Sequence, residues 1–148
     1  PPVQAVLLDA LAGERVALPA ASVESVVELD AIIPVPRAAN HIAGLSALRS
    51  RVLTVIDCNK ALDLPPAAIS PVIQEAAVVE LEGHHYALMV DGVEDVVTAL
   101  SDPAPVRAAL GKGWERVSIG MVETEEGGFL LVDVAGLVAG PEQDRAAA

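Results

Sequence analysis

The feature that most constrains this chain is that it matches itself twice, at two offsets. An offset of 70 aligns Leu11 with Leu81, Gly13 with Gly83, and Ala17-Leu18 with Ala87-Leu88. It also aligns Val23-Glu24 with Val93-Glu94, and Val26-Val27 with Val96-Val97. An offset of 76 then aligns Gly44 with Gly120 and Asp57 with Asp133. The turn glycine and the glutamate keep register, which is more than a Val-, Ala- and Leu-rich chain matches by composition. The repeat predicts two similar halves of roughly 70 residues, each too small to bury much core alone, so the halves are expected to pack together. Their junction is a candidate binding groove, since ligand sites favour such interfaces.

Each copy opens with the grammar of a hairpin. Residues 3–11 form an apolar run, Gly13-Glu14 a turn, and Arg15-Val16-Ala17-Leu18 the return. The second copy repeats this with residues 76–82, Gly83, and Tyr86-Ala87-Leu88-Met89-Val90. Residues 23–29 read as a strand with a bulge or a short amphipathic turn, extended structure being favoured because Val dominates. Pro34 and Pro36 forbid regular helix and mark a loop. Val52-Leu53-Thr54-Val55-Ile56 is a β-branched run stopped by Asp57, read as a buried strand, followed by a short helix over residues 59–62. Pro65, Pro66 and Pro71 make the stretch near 63–75 the connector. Asp102 reads as the N-cap of a short helix ended by Gly111, and the polar, Ala-rich tail from Pro141 as disordered or a frayed helix.

The whole of 1–148 is expected to form one domain of two intertwined or packed halves. Hydrophobic residues make up 53% of the chain, but Tyr86, Trp114 and Phe129 are its only aromatics, so Val, Leu, Ile and Ala must fill the core. No apolar run approaches the roughly 20 residues that span a bilayer. A net charge of −12 argues against nucleic acid and anionic membrane surfaces as partners. Cys58 is the single cysteine, which excludes an internal disulfide and a thiolate zinc cluster and fits a reducing cytoplasm. A protein or a small molecule remains as partner.

Two residues stand out where the repeat fails. Leu48-Arg49-Ser50-Arg51 places two positive charges before the strand, in a chain with nine Lys and Arg against 21 Asp and Glu. The repeat mate of Arg49 is Glu125. Letters shared by both copies read as architecture, and the unshared arginine reads as function. Arg51 reads as its solvated neighbour. His84-His85 follows the turn glycine, and adjacent histidines on a strand point apart, so joint metal ligation is not expected. Asp57 and Asp133, one per half, raise a two-lobed aspartic hydrolase as an alternative. That chemistry requires a small hydroxyl residue and Gly after each Asp, whereas the chain has Cys58-Asn59 and Val134-Ala135. Strand-ending or helix-capping aspartates are the better reading. No phosphate loop or nucleophile–base motif stands out.

Taken in order, Pro34-Val35-Pro36, Gly44, Leu48-Arg49, the strand closed by Asp57, Val90-Asp91-Gly92-Val93 and Leu130-Leu131-Val132-Asp133 resemble the CheW family of chemotaxis coupling proteins. The resemblance covers nearly the whole chain. It implies a mainly β fold of two five-stranded SH3-like barrel subdomains with short helical inserts. It further implies no catalysis, no cofactor and no metal. The implied role is a cytoplasmic adaptor between the regulatory domain of a CheA-type histidine kinase and the cytoplasmic tips of chemoreceptors. The partner-binding positions implied are Arg49, Leu48, Val23, Gly44, Val90, Asp91, Gly92 and Val93. Ser50 stands where the family commonly has Gly, Thr54 where it commonly has Pro, and Cys58 where it has Leu. Alternatives are a CheW-like module or kinase regulatory domain in another two-component pathway, and a small-molecule barrel using the groove.

Overall fold

The computed structural model describes residues 5–11, 14–62, 64, 74–100, 102–106 and 111–141. The strands among them are β1 (Ala5–Leu11), β2 (Glu14–Pro19), β3 (Val23–Leu29), β4 (Ile42–Leu48) and β5 (Arg51–Asp57). They continue with β6 (Gln74–Leu81), β7 (His84–Met89), β8 (Gly92–Thr98), β9 (Ser118–Thr124) and β10 (Gly127–Val132). Three short helices, α1 (Cys58–Ala61), α2 (Lys112–Val117) and α3 (Val134–Ala139), lie between and after them. The β1–β2 and β6–β7 hairpins fall where the turn glycines put them, and β3 carries its bulge between Val23 and Ser25. All but Leu64 of the connector near 63–75 lies outside the described residues or inside β6.

Two five-stranded sheets form, in the orders β8-β1-β2-β10-β9 and β3-β6-β7-β5-β4. Replacing each strand by its repeat mate, β1 by β6 through β5 by β10, turns one order into the other. The repeat is therefore real, and its two copies exchange strands. Each sheet takes its first hairpin from one copy and three strands from the other. β2 meets β10, and β5 meets β7, in parallel across this exchange.

The result is a mainly β fold of two SH3-like barrel subdomains, neither closed by a full ladder among the described residues. In each, the chain leaving β3 or β8 returns to touch β4 or β9 at one bridge. Ile33 and Leu45 exchange backbone hydrogen bonds of 2.8 and 2.9 Å, and Ala104 and Met121 exchange bonds of 2.8 and 2.7 Å. This overturns the helix expected after Asp102. Residues 102–106 are not helical, because the backbone of Ala104 is paired with β9 between Pro103 and Pro105. Residues 107–110 and the tail from 142 lie outside the described residues.

Strands β2, β5, β6, β7 and β10 bury residues on both faces, which explains their nearly unbroken apolar runs. On β10, Phe129 and Leu131 point into one subdomain while Leu130 and Val132 point to the seam between subdomains. On β6, Ala76 and Val78 point into the other while Ala77 and Val79 face the seam. The seam is a shared core that also takes Val16 and Leu18 of β2, Ile56 of β5, Leu88 of β7, and residues of all three helices. It is packed rather than open, so the groove expected between the halves is filled by side chains. Val52 departs from the buried-strand reading: it is 62% exposed at the start of β5.

Around the seam, single contacts tie the copies together. Arg116 of α2 donates to the carbonyls of Gly136 and, at 2.7 Å, Ala61, joining α3 to α1. His41 Nε2 bonds the carbonyl of Val138 at 2.8 Å. Helix α2 escapes sequence reading because it has six residues, with Gly111 before it and Gly113 within it, and only Trp114 and Val117 buried.

Candidate functional site

Arg49 sits with Ser50 in the two-residue turn between β4 and β5, where Leu48 pairs with Arg51. Its side chain is exposed, and its φ of 58° is a left-handed conformation that glycine usually supplies at such turns. The turn thus holds a long cation away from the sheet at the tip of a hairpin. Val52, exposed and three residues on, adds an apolar surface beside it. A cation with an aliphatic stem next to bare valine is the composition of an interface anchor.

Arg51 is exposed, as sequence suggests, but it is also engaged in a surface cluster. It donates to Glu24 Oε1 at 2.9 Å, and His85 Nε2 lies 2.9 Å from Glu24 Oε2 and 3.1 Å from Glu80 Oε2. The Arg51 hydrogen bond, with help from His85, holds the Glu24 carboxyl below its ordinary value. His84 is exposed while His85 is half-buried in this cluster, so the two adjacent rings do diverge. Sequence reading missed the cluster because its members come from β3, β5, β6 and β7. The one signal was the 70-residue offset, which makes His85 the mate of Arg15. Arg15 lies 4.2 Å over the Phe129 ring in the other subdomain.

The remaining candidate residues divide into two groups. Leu48 is half-buried against the core of its own subdomain, below the Arg49 turn. Gly44 is buried on the same strand, against Ile33. Val23 and Val93, repeat mates at the starts of β3 and β8, pack against the shared seam, and Val90 lies within it at 3% exposure. Asp91 is exposed and Gly92 half-exposed at the bend that leads into β8. The structure therefore joins Leu48 to Arg49 on one hairpin, and groups Val23, Val90 and Val93 along the seam. Gly44 and Val90 offer no side chain to a partner; they shape the backbone and core that carry the others.

The two repeated aspartates have structural work. Asp57 accepts from Lys60 N at 3.3 Å and caps α1, and Asp133 accepts from Ala135 N at 3.2 Å and caps α3. Each carboxylate serves its own helix, as the capping reading expects, and the hydrolase alternative has nothing to stand on.

No helix among the described residues is long and apolar enough to cross a membrane. No curated protein sequence matches the chain. Among solved structures, the scaffolding protein TtCheW from Thermoanaerobacter tengcongensis superposes with a TM-score of 0.75 at 22% identity, covering 90% of each chain. That likeness establishes the fold. The family model of the CheW-like domain matches residues 5–142. Its members are scaffold and adaptor domains rather than enzymes. With two strand-exchanged SH3-like subdomains and the family match over nearly its full length, this chain belongs to the CheW-like domain family.

Proposed function

We propose that this chain is a cytoplasmic adaptor that couples a CheA-type histidine kinase, through its regulatory domain, to chemoreceptor tips in chemotaxis signalling. The observation that carries this reading is the CheW-like match over residues 5–142. The exposed Arg49 turn, flanked by the bare Val52, supports a protein-binding surface at the β4–β5 end. Leu48, Val23, Gly92, Asp91 and Val93 complete the proposed contacts, with Gly44 and Val90 fixing the backbone beneath. Apolar docking with few charges gives a modest interface of roughly micromolar affinity, about 8 kcal/mol. Titrating the chain with the kinase regulatory domain and with a receptor-tip fragment tests this. Saturable binding to both, with only weak dependence on salt, supports the adaptor. Binding to the kinase alone would point to a module of another two-component pathway, and binding to neither would overturn the reading.

A further inference from the structure

We propose that Glu24, Glu80 and His85 form a binding site for a first-row divalent transition-metal ion such as Zn²⁺. One ligand atom from each, all mutually within 4.8 Å, converges on the outer end of one subdomain. Glu80 and His85 are directly opposed on β6 and β7. Glu24 joins them from β3, the next strand in the sheet, because the bulge between Val23 and Ser25 sets it in that strand's irregular position. All three ligands thus project from strands rather than from loops, which fixes their geometry.

The spacing is close to what an ion needs, and its hydrogen bonds would give way to metal bonds. Nε2 of His85 is 2.9 and 3.1 Å from the two carboxylate oxygens. Ligands at tetrahedral angles around an ion with bonds of about 2.1 Å stand roughly 3.4 Å apart, so the exposed Glu24 and Glu80 carboxylates would draw back by about 0.3–0.5 Å from their present hydrogen-bonding distance to admit one. Neutral imidazole would supply its Nε2 lone pair, and Glu24 would ligate through Oε2 while Oε1 stays on Arg51. Two carboxylates and one guanidinium leave a single negative charge before the ion enters. An imidazole among the ligands selects zinc-like ions over Mg²⁺ and Ca²⁺, which take oxygen shells. Three protein ligands leave an open position for water. Because Arg51 shares Glu24 with the site and begins β5 just past the Arg49 turn, the ion lies one ion pair away from that turn.

Zn²⁺ titration by calorimetry tests the site, using the full chain without a polyhistidine tag. One ion per chain is expected, and Mg²⁺ should not replace it. His85→Ala and Glu80→Gln should each weaken binding at least about tenfold, the scale seen when the support of a metal site is removed. His84→Ala, one residue away but pointing elsewhere, should bind like the parent. Absence of saturable Zn²⁺ binding would overturn the proposal. So would unchanged binding in His85→Ala, or loss in His84→Ala alone. Should His85→Ala fail to fold, the imidazole resonances of the parent protein decide. Zn²⁺ must shift those of His85, and shifts confined to His84 or His41 refute the site.

Discussion

A Cβ on Gly44 would stand 2.2 Å from the carbonyl oxygen of Ile33, so the returning chain can bridge β4 only over a glycine. Gly120 repeats the relationship with Ala104, at 2.7 Å. The shared glycine of the 76-residue offset is thus the price of closing each subdomain with one backbone bridge.

Gly44→Ala should therefore destabilise the fold by about 2–3 kcal/mol or more, since the obstructing atom is backbone and cannot rotate away. Gly120→Ala should cost less, because its clash is milder and its φ lies outside the left-handed region that Gly44 adopts at 151°. Denaturant melts of both variants measure the order. Equal midpoints to the parent would show that the bridge yields easily.

Arg49→Ala should cost on the order of 2 kcal/mol or more in partner binding, at least about thirty-fold in affinity. Folding stability should move by less than about 0.5 kcal/mol, as the side chain is exposed. Arg49→Gly separates the backbone from the side chain. It relieves the left-handed strain at φ 58° and should keep the melting temperature, yet lose binding as Arg49→Ala does. Arg49→Glu should bind worst. A large fall in melting temperature for Arg49→Ala would make the residue structural instead.

Asp57→Ala and Asp133→Ala should each cost about 1 kcal/mol of stability by uncapping α1 or α3. Asp57→Asn, which keeps a side-chain oxygen for Lys60 N, should recover most of the loss. Urea titrations distinguish these outcomes. A variant that abolished a hydrolytic activity without touching stability would contradict the capping role.

Glu24 sets a pH window. Arg51 holds its carboxyl below the ordinary value of 4.5, so the unfolded chain takes up that proton more readily than the folded one. The stability this provides is present above about pH 4.5 and is lost as pH falls through the lower folded value. Glu24→Gln should lower the melting temperature slightly near neutrality, and the gap should close in strong acid, where Glu24 itself is uncharged. A gap that persists unchanged at the acid end would assign the effect to packing.

Local pattern accounts for the strand grammar, the repeat, the capping aspartates and the exceptional Arg49. Each of these depends on neighbours within a few residues: turn glycines, β-branched runs, a helix start after Asp57. Two copies at a fixed offset also require pseudo-equivalent sheets, and the structure has them. Which strands pair is set by long-range packing that no local pattern encodes. A strand's nearly unbroken apolar run says that both its faces are buried but carries no address for its neighbour. The exchange of β3 to β5 against β8 to β10 was therefore invisible from Ala5 onward. The same reason hid the Glu24–Arg51–His85–Glu80 cluster, whose members meet only because β3, β5, β6 and β7 share one sheet. Helix α2 forms where local signals are weak, because burial of Trp114 and the reach of Arg116 to α1 and α3 outweigh Gly111 before it and Gly113 within it. The stretch after Asp102 failed as a helix for the converse reason: the bridge from Ala104 to Met121 claims its backbone first.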